Sequence, residues 1–213
     1  MPHAKPVVSL AALVVLMLSA SLVTAQKQVQ SVPHYTNLEI SASRITTLYA
    51  LDPAASSLCF ADGDEGHVIR QGVVYNRCSH IEFDHYYSGS LTVAIQGGEE
   101  GQIIDLGTPD ELKKQYGYSE TVSSGQGFAS LVFRDGKIQI RKAGEKGELQ
   151  ALTGSQQLLE QPVKGGASAI AKAGHIYLAR ITDRHNKDFQ ILVKILVLRA
   201  AAGDQVTFRW ELL

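Results

Sequence analysis

Val206, Phe208, Trp210 and Leu212 alternate with Thr207, Arg209 and Glu211 at the end of the chain. Successive side chains of an extended strand point to opposite faces, so this row buries one face and leaves the other polar. A helix would scatter the same residues around its axis, and the alternation therefore commits this part of the chain to a sheet. Gly203 and Asp204, just ahead of it, make a turn. Residues 189–198 are apolar at eight of ten positions, too rich for a strand with one wet face, so they are expected to be central or covered on both sides. Residues 175–182 lead into that run through the polar turn "DRHNKD". The three segments read as an antiparallel meander over 175–213.

Upstream, "SLVFRDGKIQIRK" places Asp135-Gly136 between two β-rich runs. That dipeptide supplies the positive φ angles of a tight hairpin, with Ile138 and Ile140 inward and Lys137, Gln139 and Arg141 outward. Further strands are expected over 38–42, 58–61, 68–75, 80–86 and 91–96. One helix start is well signalled: Thr108, Pro109 and Glu111 occupy the N-cap, first-turn proline and capping-box positions, and Gly117 stands where a helix would end. A second helical turn is expected over 155–161, before Pro162. Many short strands with one or two short helices define an all-β class, an antiparallel β-sandwich or barrel-like domain.

The first 25 residues have the pattern of a targeting segment. Lys5 is their only charge, residues 7–23 are almost continuously apolar, and Val23-Thr24-Ala25 offers small residues for cleavage. A signal peptide over 1–25 is expected, then a polar leader over 26–36 and a single β-rich domain over 37–213. The alternative is an uncleaved anchor, since the apolar run approaches the length that spans a bilayer. Cleavage would leave no stable membrane anchor and a secreted or periplasmic protein. An oxidising compartment lets the two cysteines, Cys59 and Cys78, form a disulfide, with free buried thiols as the alternative. With 20 basic and 21 acidic residues the chain is nearly neutral, which gives no reason to expect nucleic acid as a partner.

Chemistry-bearing residues concentrate in "YNRCSHIEFDHYYSG", residues 75–89. As a strand this segment divides into a core face of Ile81, Phe83 and His85 and an outward face of His80, Glu82 and Asp84. An imidazole and a carboxylate two residues apart can lean toward one cation. His80 and Asp84 are about 13 Å apart along a strand, so at most two of the three serve one ion. In "DGDEG", Asp62 and Asp64 echo the opening of a calcium loop, but Val73 stands where the twelfth-position glutamate is required. His80, Glu82, Asp62 and Asp64 are thus the candidate ligands for a divalent metal, set against a solvated strand face and a polar turn. Tyr86 and Tyr87, with Tyr75, Tyr116 and Tyr118, are candidates for a ligand-binding surface or for packing.

Nucleophile motifs are missing from the sequence. "GGASAI" puts Ile170 where the last glycine of a Gly-x-Ser-x-Gly elbow belongs, and "SGQGFAS" leads into a strand rather than a helix. The sequence-level expectation is an exported β-domain acting as a non-catalytic binding or structural module, without a cofactor. Its partner would be a protein, glycan or small ligand. The competing expectations are a metal-binding protein or metal-dependent hydrolase using His80 and Glu82, and a carbohydrate-binding module.

Overall fold

The structure, a computed structural model, describes residues 44–52, 55–63, 78–85, 88–95, 98–117, 128, 130–141, 148–160 and 167–213. All of these belong to one compact unit, residues 35–213. The expected signal segment, leader and strands over 38–42 and 68–75 lie outside the described residues.

Antiparallel sheet dominates. In chain order the strands are β1 (Arg44–Tyr49), β2 (Ser57–Leu58), β3 (Ile81–Phe83), β4 (Ser90–Val93), β5 (Glu99–Asp105), β6 (Leu131–Arg134), β7 (Lys137–Arg141), β8 (Leu149–Ala151), β9 (Ala167–Ile170), β10 (Ile176–Asp183), β11 (Gln190–Ala201) and β12 (Gln205–Leu212). Helices α1 (Pro109–Tyr116) and α2 (Ser155–Glu160) are short. A five-stranded sheet runs β1-β12-β11-β10-β5, a four-stranded sheet β2-β3-β4-β9 and a three-stranded sheet β6-β7-β8.

Strands β10 and β11 at the middle of the five-stranded sheet are buried on both faces, and period two sorts their residues between two cores. Tyr177, Ala179 and Ile181 of β10, Val193, Ile195 and Val197 of β11, and Val206, Phe208 and Trp210 of β12 share one core with Leu58, Ile81, Phe83, Leu91 and Val93 of the four-stranded sheet. The alternate residues Ile176, Leu178, Leu192 and Leu196 meet Leu131, Ile138 and Ile140 of the small sheet and Leu112, Tyr116 and Leu158 of the helices. This two-sided burial explains the apolar run in β11. At one margin β5 lies beside β4 and β9. Gly101 makes that approach possible, because a Cβ there would stand 2.6 Å from the Ala94 Cβ.

Several local expectations match the structure. The β10-β11-β12 meander pairs antiparallel as read. Asp135 and Gly136 both have positive φ in the β6-β7 hairpin, and Ile138 and Ile140 are buried. Thr108 caps α1 with a complete capping box, and Gly117 ends the helix in the left-handed conformation.

Strand limits differ where the backbone turns left-handed. Asp84 (φ 65°) ends β3 at Phe83, and Ala94 (φ 59°) ends β4 at Val93. The expected strand over 58–61 is cut to Ser57–Leu58 because Gly63 N–H donates to Cys59 O and closes a turn. Strands β1, β5, β8 and β9 were not anticipated. In β5 the inward positions begin Glu99, Gly101, Ile103, so polar and missing side chains hide the alternation.

Candidate functional site

Cys59 and Cys78 are joined by a disulfide, with their Cα atoms 5.1 Å apart. Two antiparallel segments bring them together. Ser57 opposes Glu82 and Leu58 opposes Ile81, and one further step in that register sets Cys59 against His80. His80 N–H donates to Leu58 O, which holds this step in place. Cys78 and His80 are two residues apart on the same extended run, so their side chains fall on one side. Both cysteines are buried.

His80 is therefore interior rather than on the expected outward face, and its residue is 2% exposed. Its ring lies between Phe60, stacked at 6.1 Å, and Phe189 at 5.8 Å, and Phe60 in turn packs on Trp210 at 5.2 Å. The Phe60 amide donates to His80 Nδ1 at 3.1 Å. This leaves the ring proton on Nε2, which faces Glu99 Oε1 at 3.4 Å and Cys78 Sγ at 3.3 Å. Burial pushes the imidazole down to about 4, with the charge of Asp62 opposing. At neutral pH the His80 ring is neutral, so its contact with Glu99 is not an ion pair.

Glu82 has other partners. Its Oε2 lies 2.7 Å from His85 Nδ1, and its Oε1 accepts from Ser56 Oγ at 3.3 Å. His85 was expected on the core face with Ile81 and Phe83. Instead the left-handed Asp84 breaks the alternation and leaves His85 exposed beside Glu82. Asp84 ties two turns together, accepting from Gly89 N–H through Oδ1 and from Gly203 N–H at 3.0 Å through Oδ2. Asp62 is exposed, and its carbonyl accepts from Arg44 Nη1. Asp64, Tyr86 and Tyr87 lie outside the described residues, as do Tyr75 and Tyr118. Tyr116, the last residue of α1, is buried, with its hydroxyl accepting from Thr153 N–H. The structure thus separates His80 from Glu82 and gathers Cys59, Cys78 and His80, whose ligand atoms all lie within 4.8 Å of one another.

A second polar cluster was not signalled by spacing. Asp105 Oδ1 lies 2.9 Å from His175 Nδ1, its Oδ2 accepts from Lys172 Nζ at 3.0 Å, and Gly107 N–H donates to Oδ1 at 2.8 Å. Partial burial raises the Asp105 carboxyl, but the bonds from His175, Gly107 and Lys172 outweigh it and hold the group below its ordinary range. The Asp105–His175 pair orients an imidazole at the surface.

Sequence reasoning missed Glu99, Phe60 and Phe189 around His80, and the Asp105–His175–Lys172 cluster. Period two over 99–105 would have aligned Glu99 with Ile103, but only strand pairing brings Asp105 to His175. No family model, curated protein or solved structure matches the chain.

Proposed function

We propose that the chain is an exported, disulfide-stapled β-sandwich acting as a non-catalytic binding or structural module. The observation that supports this reading most directly is the fate of the reactive-looking stretch around Cys78. Cys78 is spent in the bridge to Cys59, His80 is buried, accepts from the Phe60 amide and lies against Glu99, and Glu82 is engaged by His85 and Ser56. Each group has a packing or hydrogen-bonding role that requires no substrate. The shared core of the five- and four-stranded sheets supports the sandwich. A disulfide fits an oxidising compartment and so supports the export reading of residues 1–25. Among the described residues no helix is long and apolar enough to cross a membrane.

Elemental analysis of the oxidised protein as first purified tests this reading. The expected result is no stoichiometric zinc, calcium or iron. One equivalent of any of them would favour the metal-dependent reading instead. An oligosaccharide array run on the same sample separates a glycan-binding module from the broader class.

A further inference from the structure

A sheet ends in rows of unpaired N–H and C=O groups, and folded chains cover, shorten or charge such edges so that no other strand pairs with them. The edge strands here are β1, β5, β2, β9, β6 and β8. Strands β2 and β8 have only two and three residues. Strand β5 lies beside β9, whose Ile170 carbonyl accepts from the Tyr177 hydroxyl. Strand β6 gives its Leu131 carbonyl to the buried Lys194 ammonium and ends on the charged Arg134. Strand β1 has six residues and no such guard among the described residues. Its one charge, Arg44, reaches the Asp62 carbonyl and the Trp210 ring instead of the free side of the strand.

Ala50 N–H donates to Asp204 O, on the β12 side, while Tyr49 N–H donates to Ala55 O, away from β12. Backbone groups of an antiparallel strand alternate between its two sides, so those of Ile45 and Thr47 point the same way as Tyr49. No described group bonds to them there. The side chains of Ile45, Thr47 and Tyr49 share one face of the sheet. Ile45 is 67% exposed and Tyr49 46%, and with Leu51 at 85% they are half of the exposed large apolar side chains among the described residues.

We propose that β1 pairs antiparallel with β1 of a second copy of the chain, about a two-fold axis at Thr46, so that the two five-stranded sheets become one. The spacing of the free groups selects this occupant. Ile45 and Thr47 are two residues apart, so the axis sets Ile45 of each copy opposite Thr47 of the other and gives every free amide a free carbonyl. No like charges meet across the axis, because the outward row is uncharged. Tyr49 stands diagonal to Ile45 of the second copy, within reach of an aromatic ring. The ladder ends at that point, since Ala55 already occupies the edge beside Tyr49. This partner goes beyond the role given above and does not rest on it or on export.

Sedimentation velocity of the purified, oxidised chain over a dilution series tests the pairing. The mass of two chains is expected at high concentration and of one at low. In hydrogen exchange the amides of Ile45 and Thr47 should be slower in the dimer than in the diluted monomer. Thr47→Pro removes one pairing amide without costing a bond inside the fold, and proline is tolerated at such an outward position of an edge strand. Ile45→Lys keeps every backbone group and sets two ammonium groups near the axis. Each variant should weaken association roughly tenfold or more while leaving the circular dichroism spectrum of the monomer unchanged. If Thr47→Pro does not fold, Ile45→Lys decides. The proposal is overturned by a chain that stays monomeric throughout, by assemblies larger than two chains, which a closed pair does not form, or by an Ile45→Lys chain that associates as tightly as wild type. A dimer whose Ile45 and Thr47 amides exchange as fast as in the monomer also overturns it.

Discussion

The Tyr177 hydroxyl donates to the carbonyl oxygen of Ile170 at 2.7 Å, and so ties the five-stranded sheet to edge strand β9 of the other sheet. The Tyr177 hydroxyl oxygen in turn accepts from Lys172 N–H at 2.9 Å, and burial, with the charge of Asp105 adding to it, pushes the phenol up to about 12. Tyr177→Phe keeps the ring and leaves both backbone groups without this partner. Urea unfolding is expected to show a loss of roughly 0.5–1.5 kcal/mol, the net worth of hydrogen bonds at a part-buried site. An unchanged midpoint would show that the link between the sheets does not carry stability.

The disulfide closes a loop of sequence separation 19. In the chain-entropy account such a loop is worth about 3 kcal/mol, by restricting the unfolded chain. Cys59→Ala, Cys78→Ala should lower stability by about this amount in metal-free buffer. The small-to-small change in the core adds little, and a difference below about 1 kcal/mol would contradict the entropic account.

His80 gives a pH dependence of defined sign. An unfolded histidine titrates near 6.5, and the folded one is pushed down to about 4 by burial. Between those values the unfolded chain binds the extra proton, so stability rises with pH there. The contribution is complete above pH 6.5 and is lost as pH falls toward 4, by on the order of 3 kcal/mol. Comparing wild type with His80→Gln across pH 4 to 7 isolates it from the carboxylates. The wild type should lose stability faster on acidification, and parallel curves would mean that His80 is not buried as a neutral ring.

Gly101 lets β5 approach β4. A methyl group added there would stand 2.6 Å from Ala94 Cβ and 3.0 Å from Val93 Cγ2, both short side chains with no room to swing away. Gly101→Ala should therefore cost roughly 1–3 kcal/mol, the range of an overpacked core. In an ordinary strand the same change would be neutral or stabilising, since alanine restricts the unfolded chain more than glycine does. A stabilised Gly101→Ala protein would show that the margin is looser than described.

The regular parts of the fold were readable because their signals are local. Period two located β10, β11 and β12, the Asp135-Gly136 dipeptide gave the hairpin, and Thr108 with Glu111 and Gly117 gave α1. The strands that were missed lack a local signal. The inward positions of β5 begin with Glu99 and Gly101, and β9 is Ala-Ser-Ala-Ile. The site was half legible. Cysteine count and the export pattern pointed to the bridge, but strict alternation put His80 outside. What buries it is non-local: Phe60, Phe189 and Glu99 reach the ring from three other segments. His85 went wrong for the opposite reason, because one left-handed residue, Asp84, ended the alternation.

Intact mass of the protein recovered from an exporting host, without reduction, tests the central claim most directly. The account predicts a chain beginning at Gln26 whose mass rises by two hydrogens on reduction, as the Cys59–Cys78 bond opens. A full-length chain carrying two free thiols would contradict it.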